Sequence, residues 1–154
     1  MRTAAQLADD TELIKQAYEA QKYAYAPYSH FAVGAALETE DGQVFLGCNI
    51  ENASYTPTNC AERTAFFKAV SEGHRSFRRI AIVGGYLSSC GSSPGQADYC
   101  APCGVCRQVM AEFCDPDTFR ILLAKNPREY RSYMLRELLP LSFGPGNLYQ
   151  KDTF

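Results

Sequence analysis

The sequence predicts an α/β domain, a three-layer α/β/α sandwich around a mixed central sheet, on three observations. Helix-period apolar patterns alternate with short apolar runs of strand length, an Asp-Gly turn joins two of those runs as an antiparallel hairpin, and the later runs flank a helical stretch suited to a right-handed parallel crossover. With 154 residues and 46% hydrophobic content the chain can bury one core, so a single domain over residues 1–154 is expected. No linker, internal repeat or low-complexity tract divides it.

The elements follow in order. Asp9 and Glu12 have the spacing of a capping pair, and Leu13, Ile14, Ala17 and Tyr18 follow at helical spacing until Pro27 stops the pattern, which predicts a first helix over residues 10–23. Residues 31–37 and 44–49 are strand-like runs on either side of Asp41-Gly42, a strong hairpin signal. Ala61, Ala65, Phe66, Ala69 and Val70 share a helix face, with Gly73 as the C-terminal stop. Residues 80–83 read as a buried strand. A Gly/Ser-rich loop from residue 84 to 102 precedes Val105, Val109, Met110 and Phe113, again at helical spacing; Pro116 and a strand over 119–124 come next, followed by a short tail with no assigned element.

Composition narrows the function classes. A net charge of −2 offers no electrostatic reason to bind nucleic acid, and the basic cluster of His74, Arg75, Arg78 and Arg79 reads as a solvated loop and strand edge. The N-terminal stretch turns acidic at Asp9 and Asp10 without an apolar core of its own, so neither a signal peptide nor a membrane span is expected, and a soluble, cytoplasmic protein is. Seven cysteines, an odd number, then point to metal ligation and free thiols in place of a disulfide framework.

The chemistry lies in Cys60-Ala61-Glu62 and Pro102-Cys103-Gly104-Val105-Cys106. A structural zinc is closed by four protein ligands, whereas a catalytic zinc keeps a corner for water, and Cys60, Cys103 and Cys106 would supply three thiolates around Zn2+ with that corner open. Both motifs open predicted helices, whose N-termini favour thiolates. Zinc brings the pKa of water toward about 7, and Glu62 is placed to take the proton and pass it to a substrate nitrogen. Zinc deaminases combine such a ligand set with a non-ligating glutamate. Cys100-x-x-Cys103-x-x-Cys106 keeps a closed four-cysteine structural site open as an alternative, and Glu62 by itself is also an ordinary first-turn carboxylate. His30 and His74 lack partners at ligand spacing and are not expected to bind metal.

Tyr28-Ser29-His30-Phe31-Ala32-Val33-Gly34-Ala35, Asn49-Ile50-Glu51-Asn52, Cys60-Ala61-Glu62-Arg63, Pro102 to Gln108 and Glu137-Leu138-Leu139-Pro140 through Phe143-Gly144-Pro145 together resemble the small homotetrameric cytidine deaminases over nearly the whole chain. The resemblance implies the cytidine-deaminase-like sandwich and a zinc-dependent hydrolysis of cytidine and deoxycytidine to uridine and deoxyuridine plus ammonia, in pyrimidine salvage. Water activated by the metal attacks C4 while Glu62 moves a proton to N3 and then to the departing amino group. It further implies that Asn49 and Glu51 hold the ribose, chiefly its 3′-hydroxyl, that Phe31 packs on the pyrimidine, and that the backbone N–H of Ala61 meets the pyrimidine carbonyl. Tyr55 and Phe143 would reach the site of a neighbouring subunit in a homotetramer. Arg63 would offset the charge of three thiolates on a divalent ion. No nucleic-acid or membrane partner is implied. Two features depart from the family pattern: the stretch 84–101 is longer, and Tyr55-Thr56-Pro57 places its proline one residue late. A cytosine-containing antibiotic such as blasticidin is the alternative substrate, and a non-catalytic zinc-stabilised interaction domain the alternative outside enzymes.

Overall fold

The computed structural model describes residues 4–88 and 98–148, with side chains from Asp9 onward. Its elements are α1 (Ala4–Gln21), β1 (Phe31–Thr39), β2 (Val44–Cys48), α2 (Ala61–Ser71), β3 (Phe77–Tyr86), α3 (Gly104–Phe113), β4 (Arg120–Asn126), β5 (Glu129–Met134) and two single-turn helices, α4 (Leu135–Leu138) and α5 (Pro145–Leu148). The strands form a mixed sheet in the order β2-β1-β3-β4-β5, in which β3 and β4 are parallel and the other pairs antiparallel.

Period-two alternation along the central strands sends side chains into two cores. Ala36, Ala81, Val83, Leu122 and Ala124 face α1 through Leu13, Ile14 and Ala17. Their neighbours Ala35, Leu37, Ile80, Ile82, Ile121 and Leu123 face α2 and α3, where Phe66, Cys106 and Met110 fill the opposite layer. Two glycines let the helices come close. A Cβ on Gly34 would lie 2.0 Å from the Ala17 carbonyl, and one on Gly47 would lie 2.2 Å from the Ala61 carbonyl and 2.6 Å from the Ala65 nitrogen. The expected three layers and mixed sheet are therefore present. Gly42 at the hairpin and Gly73 after α2 both adopt positive φ, as the turn and helix-stop readings require.

Several sequence expectations are corrected. The first helix begins at Ala4 and ends at Gln21, so Asp9 and Asp10 lie inside it and do not cap it. Their carboxylates serve another purpose: Arg79 pairs with Asp9 (2.6 Å), Asp10 and Glu38, and Arg120 reaches Asp10 at 2.7 Å. Arg79 is 1% exposed, so the basic cluster is not wholly solvated; this member of it ties α1 to β1 and β3. β3 runs on to Tyr86, past the expected end at Val83. The tail holds a fifth strand, β5, whose Glu-Tyr-Arg-Ser-Tyr-Met sequence is too polar to mark an apolar run but suits a sheet edge. Residues 89–97, with Cys90, belong to the long 84–101 connection and lie outside the described residues.

Candidate metal centre

Two helix starts meet at the end of the sheet where β2 and β3 finish and β1 begins. Cys60 occupies the N-cap of α2, with extended backbone at φ −75°, ψ 157°, directly after an antiparallel bridge between Ile50 and Asn59. Cys103 caps α3 in nearly the same conformation, φ −66°, ψ 166°, and Cys106 follows one turn later. Pro102 is held there by Arg107, whose Nε donates to the Pro102 carbonyl (2.7 Å) while Nη1 donates to the Leu138 carbonyl (2.6 Å).

The sulfurs fit a tetrahedral ion. Cys60 Sγ lies 3.8 Å from Cys103 Sγ, which lies 3.6 Å from Cys106 Sγ, and all three fall within 4.8 Å of one another. Zinc–sulfur bonds of about 2.3 Å at tetrahedral angles separate the sulfurs by about 3.8 Å. Cys100 falls outside this group. Its side chain sits instead against Gly84 of β3, where a Cβ would lie 2.7 Å from the Cys100 sulfur.

Charge at the centre is unevenly shared. Contact with Cys106, then the Arg63 guanidinium and Cys103, draws the Cys60 thiol down to about 5 against the effect of burial. Cys106 moves up, because of its contact with Cys60 and its burial. Without a cation between them, sulfurs this close do not all ionise, and a divalent ion removes that restriction. Arg63 Nη2 lies 3.6 Å from Cys60 Sγ, where its charge opposes that of the thiolates; burial lowers its pKa, but Cys60 and Cys106 raise it on balance. Glu62, in the first turn of α2, is 4% exposed. Burial, with the Cys60 charge adding to it, pushes its carboxyl up to about 7, a range in which it can both accept and give a proton near neutrality.

A cleft of about 180 Å³ opens over these groups, lined by Val33, Asn49, Glu51, Thr58, Asn59, Ala61, Glu62, Cys100, Ala101 and the Cys60 and Cys103 ligand candidates. Ala61, the first residue of α2, has one of the backbone N–H groups without an intrahelical acceptor. Asn49 already braces β1: its Oδ1 accepts from Val33 N–H (2.8 Å) and its Nδ2 donates to the Phe31 carbonyl (2.8 Å). Glu51 accepts from Tyr28 N–H at 2.8 Å, from Ser29 N–H at 3.2 Å and from the Ser29 hydroxyl. Against slight desolvation, these bonds hold its carboxyl below the usual range. Phe31 does not line the cleft; its ring meets Tyr86 edge-on at 5.1 Å. Tyr55 projects outward, 71% exposed with φ +59°, and Phe143 lies in a separate groove beside Gln108 and Glu112 of α3. Thr58 and Asn59 had no signal in the sequence as cleft walls beyond their nearness to Cys60, whereas the spacing of Cys100 marks it only as a possible fourth ligand.

Residues 7–121 match the family described as the cytidine and deoxycytidylate deaminase zinc-binding region. The chain belongs to this family. It is a zinc-binding deaminase, and its fold and sequence both extend the match past residue 121. It is 45% identical over 140 residues to the cytidine deaminase of Sporosarcina psychrophila, covering 91% of this chain and 95% of that one. The cytidine deaminase of Halalkalibacterium halodurans is 48% identical over 135 residues, covering 88% and 94%. Among solved structures, the cytidine deaminase from Burkholderia pseudomallei superposes with a TM-score of 0.74 at 47% identity, covering 86% of this chain and 97% of that one. Among this deaminase's described residues, no helix is long and apolar enough to cross a membrane.

Proposed function

We propose that this chain, as a single catalytic domain, hydrolyses cytidine and deoxycytidine to uridine and deoxyuridine with release of ammonia, the reaction of pyrimidine salvage. The observation that carries this reading is the buried Glu62 carboxyl beside three convergent cysteine sulfurs, at a cleft lined by Glu62, Cys60 and Cys103 together with Asn49 and Glu51. Cys60, Cys103 and Cys106 hold the zinc, and Arg63 lowers the net negative charge around it. When bound, zinc acts as a Lewis acid that makes water nucleophilic near neutral pH.

The chain's own residues do the rest. Glu62 accepts one proton of the attacking water and delivers it to N3 of the pyrimidine; it then takes the proton of the new C4 hydroxyl and delivers it to the amino group, which leaves as ammonia as the C4 carbonyl forms. Ala61 N–H receives the pyrimidine carbonyl. Asn49 and Glu51 hold the 3′-hydroxyl, so a substrate without it leaves polar groups unpaired. Phe31 reaches the pyrimidine by turning from Tyr86, a rotamer change. Tyr55 and Phe143, both outside the cleft of their own chain, complete the sites of neighbouring subunits in a homotetramer, and the enzyme works in the cytoplasm.

The test is the ultraviolet absorbance change on mixing zinc-loaded protein with cytidine, beside Glu62→Gln. Rapid conversion by the parent and a loss of at least about a thousandfold in kcat for Glu62→Gln, with zinc retained, is expected. Full activity of the variant would sink the role of Glu62. Turnover of blasticidin but not of cytidine would reassign the substrate. A closed site with Cys100 as fourth ligand is disfavoured by its packing on Gly84, and four sulfurs in the X-ray absorption spectrum would revive it.

A further inference from the structure

Cys60 and Cys103 reach the metal centre by unlike routes. Cys60 leaves a backbone bridge: Ile50 and Asn59 exchange both N–H···O bonds at 2.9 Å one residue before it. Cys103 has no such support, for residues 98–103 run without helix or strand. Side chains must therefore fix where this segment enters the site. Arg107 does so at Pro102, next to the ligand.

Four residues before Cys103, the Tyr99 ring is gripped by two cations from the far hairpin of the sheet. Lys125 Nζ of β4 lies 4.7 Å from the ring centroid and Arg131 Cζ of β5 lies 4.3 Å from it, both within cation–π range. The contact has further ties. Asp98 Oδ1 lies 3.4 Å from Lys125 Nζ and also accepts the Tyr99 N–H at 2.8 Å, and Tyr99 Oη donates to Glu129 at 3.5 Å. The next residue, Cys100, packs on Gly84, so Tyr99 and Cys100 dock the incoming chain on β4–β5 and on β3 in succession.

We propose that Tyr99 is a positioning residue for the metal centre: clamped by Lys125 and Arg131, it fixes the entry of the segment that presents Cys103 and Cys106. This rests on the reading of those cysteines as zinc ligands. The cations hold the ring by its face, so the hydroxyl is dispensable and the aromatic ring is not. Loosening the clamp lets Cys103 leave the ion more often, which speeds zinc loss, while Glu62 and Cys60 keep their places at the start of α2.

The experiment measures zinc content and the rate of zinc transfer from the zinc-loaded protein to a chromogenic chelator, for the parent, Tyr99→Phe, Tyr99→Leu and Arg131→Met. Tyr99→Leu should release zinc about fivefold faster or more, Arg131→Met about twofold faster, and Tyr99→Phe within twofold of the parent. Release must also outrun global unfolding measured in the same buffer, which a merely destabilising change would not achieve. Equal rates for parent and Tyr99→Leu, or a Tyr99→Phe defect as large as that of Tyr99→Leu, overturn the proposal. If Tyr99→Leu does not fold, an unchanged rate in Arg131→Met overturns it. A parent that holds no zinc overturns the ligand reading itself, and with it this one.

Discussion

Glu62 illustrates how one side chain ties stability to chemistry. Its carboxyl sits at about 7 in the fold against 4.5 for an ordinary glutamate, so between those two values the folded protein binds more protons than the unfolded chain. The stability it contributes is complete below pH 4.5 and is lost as pH rises toward 7. In zinc-free protein, Glu62→Gln should therefore be neutral near pH 4.5 and stabilising above pH 7, by at most about 3 kcal/mol, in urea unfolding followed at both pH values. A variant less stable than the parent at pH 8 would contradict this. Asn49 and Glu51 separate the same way. Asn49 bonds to β1 at both Phe31 and Val33, so Asn49→Ala should cost about 1–3 kcal/mol of stability as well as substrate affinity. Glu51 is bonded at the surface, and Glu51→Gln should chiefly raise KM for cytidine, by about tenfold, while narrowing the preference over 3′-deoxycytidine.

Among the elements, α2 does two jobs, since it packs the core through Ala65, Phe66 and Ala69 and carries Cys60 and Glu62 at its start. Gly47→Ala would drive β2 into that first turn, whereas Gly34→Ala would strike α1, which carries no ligand candidate. Both should lose at least about 1–3 kcal/mol in chemical denaturation, but only Gly47→Ala should also fall below one zinc per folded chain by metal analysis. The same elements explain what could be read from the sequence. Apolar periodicity marked α2, α3 and the core strands because their buried faces leave a regular imprint. The two cysteine motifs were legible because metal chemistry demands residue types that packing does not. Arg79 was misread because its burial depends on Asp9, Asp10 and Glu38, which come from distant positions and have no local signature. β5 was missed because an edge strand needs no continuous apolar face. The Tyr99 clamp likewise exists only once β4 and β5 lie side by side.

For the whole molecule, the buried Arg79 network joins the helix of one layer to the sheet. Asp10 is shared by Arg79, which keeps Asp9 and Glu38, and by Arg120, so Asp10→Ala should lower stability by about 1–3 kcal/mol, measured by chemical unfolding of the zinc-loaded protein. The proposed assembly has its own test. Sedimentation equilibrium should give four times the 17.1 kDa chain mass, and mixing Phe143→Ala with Glu62→Gln subunits should restore activity above the sum of the two separate preparations. No gain on mixing would place each site within one chain. The separation of the ligand cysteines bears on how the chain can vary. Cys60 and Cys103 are 43 positions apart and their sulfurs 3.8 Å apart, so an ion joining them closes a loop of that contour. Loop-closure entropy grows only with the logarithm of length, about 0.6 kcal/mol for each doubling. Nine extra residues between Ser88 and Asp98 would therefore cost about 0.2 kcal/mol, a sum the fold scarcely registers. Chain length ahead of Asp98 is close to a free variable, and with the entry point docked at Tyr99 and Cys100, such variation need not reach the geometry of Cys103.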